Sequence, residues 1–203
     1  MKMFEFEEKF LNSGAIFIAG MDEAGRGPLA GAVCVACVIM PLEKEDIIDG
    51  IDDSKKLSEK KRELLYDKII NKAIDYRIEF VDEKIVDEIN ILNATKLGMK
   101  RCLEGLNIRP DIALIDAVKL LDVSVPCEAI VHGDARSYSI AAASILAKVA
   151  RDRLVVSTYD KQFPEYGFSK HKGYGTKAHI EAIKKFGPCA IHRKTFIKHF
   201  WEA

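Results

Sequence analysis

Two adjacent carboxylic acids, one arginine and three glycines lie together in residues 20–28, at the end of an apolar run. Asp22 and Glu23 could bind a cation, and Arg26 offers a planar fork of donors for phosphate. Glycines at 25 and 27 allow a ligand to approach the backbone closely and leave N–H groups accessible to an anion. Such a segment on its own is more often a turn with exposed acids, so a catalytic interpretation requires further acids.

Acids follow three separate short apolar segments, each typical of a buried strand. The pairs are residues 16–19 with Asp22 and Glu23, residues 112–115 with Asp116, and residues 129–131 with Asp134. Taken singly, the later two acids are more often strand-end turn residues. If the strand ends meet in one sheet, four carboxylates repel one another and have raised pKa values unless a cation neutralises them. Oxygen ligands without His or Cys favour Mg²⁺ or Mn²⁺, and a two-ion site supports phosphodiester cleavage.

Several predicted elements would position these acids. The apolar run at residues 30–40 predicts a strand that forms a hairpin with the first, placing Asp22 and Glu23 at the mouth of that hairpin. Alternating apolar and polar residues over 76–80 predict a further, half-buried strand. Predicted helices run from Ser58 to about residue 73, over 82–106 with a break near Asn90 or Asn93, over about 137–158, and from Thr176 to Phe186. The alanines of the third helix predict close packing on a neighbouring element.

Length and composition are those of an ordinary globular chain, with 203 residues, 48% hydrophobic and 31% charged. We therefore expect a single α/β domain over residues 1–203. The formal net charge is zero, but residues 161–203 hold nine Lys and Arg against three Asp and Glu. This basic C-terminal helical segment, from about residue 161, would suit a polyanion near a cluster of acids, although a solvated face is the commoner explanation of such a surplus.

Other classes of protein fit the sequence less well. The first ten residues lack the apolar core of a signal peptide, and the longest apolar run is too short to span a bilayer, so we expect a cytoplasmic protein without a membrane partner. The five cysteines are an odd number in apolar surroundings, which argues against a disulfide framework. Cys34 and Cys37 fall in a predicted strand and are interpreted as buried thiols rather than a zinc site.

Motifs across residues 16–196 resemble those of bacterial ribonuclease HII, a type 2 ribonuclease H. They are DEAGRGPLAG at 22–31, DSKKLSEKKRE at 53–63, NIL at 90–92, LIDA at 114–117, GDARSYSIAAASILAKVARDR at 133–153, HKGYGT at 171–176 and GPCAIHRKTF at 187–196. Their order along the chain is also that of the family. The resemblance implies a ribonuclease H-like fold, a mixed central sheet flanked by helices, with a small C-terminal helical segment.

The resemblance also implies an activity: endonucleolytic cleavage of RNA in RNA–DNA hybrids and of single ribonucleotides in duplex DNA. The cut falls on the 5′ side of the ribonucleotide and leaves 3′-hydroxyl and 5′-phosphate ends, which would serve to remove misincorporated ribonucleotides and RNA primers. The implied catalytic, metal-binding residues are Asp22, Glu23, Asp116 and Asp134. We expect the first and third to contact both ions and the other two to complete one ion site each.

Substrate contacts follow from the same resemblance. The family's Gly-Arg-Gly motif, here Gly25, Arg26 and Gly27, reads the 2′-hydroxyl and the junction with DNA, while the tyrosine matching Tyr174 packs on the adjacent deoxyribose. A 2′-hydroxyl is what distinguishes RNA from DNA. The further expected substrate-binding residues are Lys55, Lys56, Arg136, Ser137, Lys172, His192 and Arg193.

Two positions depart from the family pattern: Arg136 stands in place of the usual lysine, and Ala32 in place of the usual proline. A type 3 enzyme is disfavoured because that family has a lysine in the glycine motif and an added N-terminal domain. Three further hypotheses remain: a non-catalytic nucleic-acid-binding module, a nuclease or transposase acting on DNA alone, and an α/β domain whose acids are unrelated. We expect a monomer.

Overall fold

A computed structural model describes residues 3–201, which contain one mixed five-stranded sheet. The strands are β1 (Ile18–Ala24), β2 (Val33–Ile39), β3 (Asp75–Val81), β4 (Ile112–Asp116) and β5 (Cys127–Ile130). Their order in the sheet is β3-β2-β1-β4-β5. The first three strands pair antiparallel, whereas β4 pairs parallel with both β1 and β5. The predicted mixed sheet is confirmed.

Helices cover both faces of the sheet and form the C-terminal segment. They are α1 (Glu5–Leu11), α2 (Glu59–Lys72), α3 (Glu83–Glu104), α4 (Tyr138–Leu154), α5 (Asp160–Gln162), α6 (Phe168–His171), α7 (Lys177–Phe186) and α8 (Lys194–Trp201). α4 and α2 share one core with β2, and α3 packs on the opposite face. The predicted C-terminal helical segment is confirmed by α7 and α8.

Local signals located most helix ends correctly. The side chains of Ser58 and Thr176 accept hydrogen bonds from backbone N–H groups and cap α2 and α7, as the sequence predicted. The expected break in the helix predicted over 82–106 lies at Asn90 of α3, whose φ is 65°. α4 differs from the prediction because it ends at Leu154, and residues 155–159 continue as a π-helical turn.

The first strand extends further than its apolar run suggested. β1 continues through Asp22 and Glu23, which pair with Ala36 and Val35 of β2, so these acids are strand residues rather than residues at a hairpin mouth. The polar side chains did not end the strand because the backbone ladder with β2 runs on to Ala24. A strand backbone therefore fixes both acids more rigidly than a turn would.

Close packing between α4 and β1 explains the alanines of that helix. A Cβ atom on Gly20 would lie 2.0 Å from the carbonyl carbon of Ser139, so only glycine fits there. Ala141, Ala142 and Ala143 are fully buried on the same helix. The predicted close approach is confirmed, and it brings the helix directly beneath the strand that carries two acids.

Two expectations about other classes were tested by the structure. Cys34 and Cys37 are buried free thiols in β2 that pack into the cores on opposite faces of the sheet, as predicted. Over residues 3–201, every helix is too short or too polar to cross a membrane.

Candidate active site

The carboxyl ends of three parallel strands bring the predicted acids together. Register pairs Met21 of β1 with Ile115 of β4, and Asp116 with Ile130 of β5. Asp22 and Asp116 thus follow directly after paired residues on neighbouring strands. Parallel strands end at the same edge of a sheet, where α/β proteins commonly bind ligands. The sheet topology accounts for the convergence that the sequence could only suggest.

Asp22, Asp116 and Asp134 form a compact group, here called the acid cluster. Each offers a carboxylate oxygen, and these oxygens all lie within 4.8 Å of one another. Asp134 lies in a 3₁₀ turn after β5, and the N–H of Gly133 in that turn donates to Asp116 Oδ1 at 2.7 Å. This hydrogen bond joins the end of β4 to the turn that carries the third acid.

Burial and mutual repulsion disfavour the ionised forms of these acids. Burial raises the pKa of Asp22 well above its ordinary value, and the charges of Glu23 and Asp116 raise it further. Burial also raises the pKa of Asp116, although the hydrogen bond from Gly133 opposes this change. A cation that neutralises several carboxylates would relieve both effects.

Glu23 lies beside the acid cluster and pairs with the glycine-rich loop. Its Oε1 is 3.3 Å from Arg26 Nη1, and burial raises its pKa while the Arg26 charge lowers it. Its second carboxylate oxygen is buried without a hydrogen-bond partner among residues 3–201. Glu23 therefore retains a free oxygen within the site.

A cleft joins the acids to several of the predicted substrate contacts. Its walls are formed by Asp22, Glu23, Ala24, Gly25, Arg26, Gly27, Ser54, Lys55, Asp116, Ser144, Lys148 and Tyr174. Tyr174 is 44% exposed, and a Cβ atom on Gly27 would lie 3.6 Å from its ring. Since this distance is an ordinary van der Waals contact, the loop and the aromatic ring lie close together in the wall of the cleft.

The two neighbouring lysines differ in placement. Lys55 Nζ lies 3.3 Å from Asp134 Oδ2, and Lys55 lines the cleft. Lys56 Nζ pairs instead with Asp52 at 3.2 Å. The structure therefore places Lys55, and not Lys56, beside the acids. Ordinary charge patterning could not distinguish the two, because both lie in one short loop.

Sequence reasoning missed three residues of the cleft: Ser54, Ser144 and Lys148. The hydroxyls of Ser54 and Ser144 hydrogen-bond at 2.8 Å, which ties the lysine loop to α4. Lys148 lies one turn beyond Ser144 and pairs with Asp152 at 2.8 Å. A polar stripe with a spacing of four on an otherwise alanine-rich helix was the available signal.

Arg193 and His192 are corrected from substrate contacts to interior residues. Arg193 is fully buried, and its guanidinium donates to the backbone carbonyls of Gly25, Arg26, Pro28 and Gly31 at 2.7 to 3.0 Å. His192 is 3% exposed. Neither side chain lines the cleft, because Arg193 bonds to the loop from the interior and His192 bonds to His179 and Cys189.

A histidine pair, His179 and His192, supports the Tyr174 segment from behind. Cys189 N–H donates to His192 Nδ1 at 2.9 Å, His179 Nε2 lies 3.1 Å from His192 Nε2, and His179 Nδ1 lies 2.9 Å from the Tyr174 carbonyl. Burial lowers the pKa of each to about 4, so both rings are neutral near pH 7. Since His192 Nδ1 must accept, its Nε2–H donates to His179, whose Nδ1–H then donates to Tyr174.

Ser137 is also corrected, because its side chain is fully buried. It caps α4 and donates to Glu7 Oε1 at 2.6 Å. Arg136 stacks over the Phe6 ring at 4.8 Å. Lys172 Nζ donates to the Ser169 carbonyl at 2.5 Å. In this structure all three side chains form internal contacts.

Solved structures share this fold. The ribonuclease H2 of Pyrococcus horikoshii OT3 is 27% identical with a TM-score of 0.73, covering 92% of this chain and 98% of that one. A ribonuclease HII of Archaeoglobus fulgidus, solved in a complex with PCNA, is 26% identical with a TM-score of 0.75, covering 88% of this chain and 94% of that one. The mixed sheet is thus that of a ribonuclease H, a class of metal-dependent endonucleases that act on RNA–DNA substrates.

Sequence comparisons define the family within this class. The Ribonuclease HII family model matches residues 19–203. The ribonuclease HII of Caldicellulosiruptor bescii is 56% identical over 97% of this chain and 94% of its own length. That of Bacillus cytotoxicus is 51% identical over 97% of this chain and 74% of its own length. The chain belongs to the ribonuclease HII family.

Proposed function

We propose that this chain cleaves both RNA in RNA–DNA hybrids and single ribonucleotides in duplex DNA. The cut would fall on the 5′ side of the ribonucleotide, leaving 3′-hydroxyl and 5′-phosphate ends, and would remove misincorporated ribonucleotides and RNA primers. One observation carries the proposal: Asp22 and Asp116 of the acid cluster line the same cleft as Gly25, Arg26, Gly27 and Tyr174, and Asp134 lies next to those two acids. A scissile phosphate at the acids would place its sugar beside that loop.

The acid cluster fits Mg²⁺ or Mn²⁺. Its donors are carboxylate oxygens without nitrogen or sulfur, which hard divalent cations prefer. Asp22, Asp116 and Asp134 would hold the ions, and Glu23 could contribute its free oxygen. When bound, two such ions activate a water molecule and stabilise the leaving oxygen of a phosphodiester.

The chain's own residues would orient the substrate. Lys55, whose side chain is 80% exposed, can contact a phosphate next to Asp134. Arg26 lines the cleft and pairs with Glu23, and its side chain is 44% exposed, so its remaining guanidinium donors are available to a substrate. The partly exposed ring of Tyr174 offers an apolar surface for a deoxyribose. These contacts grip the backbone on both sides of the scissile bond.

Cleavage of an end-labelled DNA duplex containing one ribonucleotide tests the proposal. The reactions would contain Mg²⁺, Mn²⁺ or a chelator, with an all-DNA duplex as the control. We expect a metal-dependent cut immediately 5′ of the ribonucleotide and no cut in the control. Cleavage of hybrids alone would contradict the junction-reading role, binding without cleavage would favour a binding module, and cleavage of the control would favour a DNA nuclease.

A further inference from the structure

A buried guanidinium lies directly behind the Gly-Arg-Gly loop, defined as Gly25, Arg26 and Gly27. Every hydrogen bond that Arg193 donates through its side chain goes to a main-chain carbonyl, and the side chain is fully buried. Two of these acceptors are the carbonyls of Gly25 at 2.7 Å and Arg26 at 3.0 Å. The guanidinium therefore hydrogen-bonds to two consecutive peptide groups of the loop, those that follow Gly25 and Arg26.

The orientation of these carbonyls fixes the N–H groups on the other side. In a trans peptide the C=O and N–H bonds point in opposite directions, and no described peptide is cis. The N–H groups of Arg26 and Gly27 consequently point away from Arg193, on the side where the loop lines the cleft. Within residues 3–201, neither donates to another backbone group. Two adjacent donors are thus held ready for a ligand oxygen.

A lysine could not replace this arrangement. Arginine presents five donors in a rigid plane, whereas lysine carries three donors on a single flexible nitrogen. One ammonium cannot contact the carbonyls of Gly25, Arg26, Pro28 and Gly31 at once. With lysine at 193, the two peptide planes would be free to rotate although the positive charge remained.

We propose that Arg193 is a positioning residue that sets the preference for a single ribonucleotide by fixing the two peptide planes of the Gly-Arg-Gly loop. The inference rests on the proposed function of that loop. A lone ribonucleotide can be cut only when its one 2′-hydroxyl meets a correctly oriented loop. An RNA strand carries a 2′-hydroxyl at every position, so its cleavage depends less on that orientation.

Arg151 provides a matched control. It is 1% exposed and also donates to main-chain carbonyls, but its acceptors are Ala30, Ala32 and Lys172. No acceptor of Arg151 belongs to the two peptide groups that Arg193 grips. Arg151 also packs behind the loop, since a Cβ atom on Gly25 would lie 2.0 Å from Arg151 Nε. Arg151→Lys should therefore change this packing and lower stability much as Arg193→Lys does, but it leaves the Gly25 and Arg26 carbonyls bonded to Arg193.

The experiment compares kcat/KM for a single-ribonucleotide duplex and an RNA–DNA hybrid in wild type, Arg193→Lys and Arg151→Lys. For Arg193→Lys we expect a loss of about 10- to 100-fold on the single ribonucleotide, as for one or two charge-assisted hydrogen bonds, and less than about fivefold on the hybrid. Arg151→Lys should keep the wild-type ratio within about threefold. Equal ratios in the two variants would overturn the inference. A wild type that does not cut the single ribonucleotide would overturn the proposed function, and this inference with it.

A measurement on the wild type covers the case in which Arg193→Lys does not fold. We expect NMR order parameters of the Arg26 and Gly27 amides to match those of β1, at about 0.85, because both peptide groups are anchored. Values below about 0.6 would show a mobile loop and overturn the inference.

Discussion

Two groups of ionisable side chains, one at the cleft and one in the interior, are stabilised in different ways. In the acid cluster, three carboxylates crowd together and burial raises the pKa of Asp22 and Asp116. In the interior, backbone carbonyls of the loop surround the Arg193 guanidinium, and burial lowers the pKa of each histidine of the pair behind the Tyr174 segment to about 4. The interior group has its partners within the protein, whereas the acid cluster keeps an excess of negative charge despite its contacts with Gly133 and Lys55. The acid cluster therefore has the properties expected of a reactive site, and the interior group has those of a scaffold.

The largest expected effect is that of Asp116→Asn. It removes one charge from the acid cluster, so we expect cleavage to fall by at least about 1,000-fold, or about 4 kcal/mol of barrier. Stability should stay the same or rise, because repulsion with Asp22 and Asp134 decreases. Initial rates and thermal melts measure both quantities, and gel-shift assays should show retained substrate binding. Comparable activity in the variant would contradict the assignment of the acids.

The histidine pair should make stability depend on pH. Unfolded imidazoles bind a proton near pH 6.5, but the folded pair does so only near pH 4. The unfolded state thus binds more protons between these values, and stability is lost as pH falls through this window. From about pH 7 to about pH 5 we expect the two histidines to lower the free energy of unfolding by about 2 to 4 kcal/mol.

Denaturant titrations at several pH values measure this effect. The double variant His179→Gln, His192→Gln is the control, because the acid cluster, whose pKa values are raised, acts in the opposite direction in both proteins. His171 stacks on His179 and Cys189 faces His192, and both are retained in the variant. Identical pH dependence in the two proteins would show that the pair does not titrate as described.

Divalent ions should stabilise the protein through the acid cluster alone. At about 100 times the dissociation constant, an ion that binds only the folded state adds about 2.7 kcal/mol, which corresponds to a rise in Tm of about 5 to 10 °C for a chain of this size. The rise should be largely lost in Asp116→Asn and retained in the double histidine variant. Thermal melts with Mg²⁺, Mn²⁺ and chelator decide this, and an equal rise in all three proteins would place the ion elsewhere.

The smallest expected effect distinguishes the two lysines. Lys55→Ala should lower kcat/KM by about tenfold, since Lys55 lies beside Asp134 in the cleft. Lys56→Ala should change it by less than about twofold, since Lys56 pairs with Asp52 instead. Steady-state cleavage assays at one salt concentration provide the comparison. Equal losses of kcat/KM in the two variants would show that Lys56 also binds the substrate.

The sequence predicted the acids and most helix ends because those signals are local. Ser58 and Thr176 cap helices through hydrogen bonds within one turn, and Asn90 adopts its positive φ inside its own helix. The convergence of the acids followed from motif resemblance rather than from pattern. Apolar runs cannot specify that β4 lies between β1 and β5, because strand order is set by long-range packing.

The interior roles of Arg193 and His192 could not be predicted. Arginine and histidine in a basic segment usually indicate a solvated or phosphate-binding surface. Here backbone carbonyls from the distant Gly-Arg-Gly loop satisfy Arg193, and His179 satisfies His192. Arg193 is 168 positions from Gly25, and His192 is 13 positions from His179. Composition alone does not predict either contact.

The bond between Arg193 and the Gly25 carbonyl spans 168 positions of the chain. During synthesis, the N-terminal part of the cleft leaves the ribosome long before the residue that anchors its loop. The final geometry of the loop therefore depends on a long-range contact, which forms only when two distant segments of the chain have packed together.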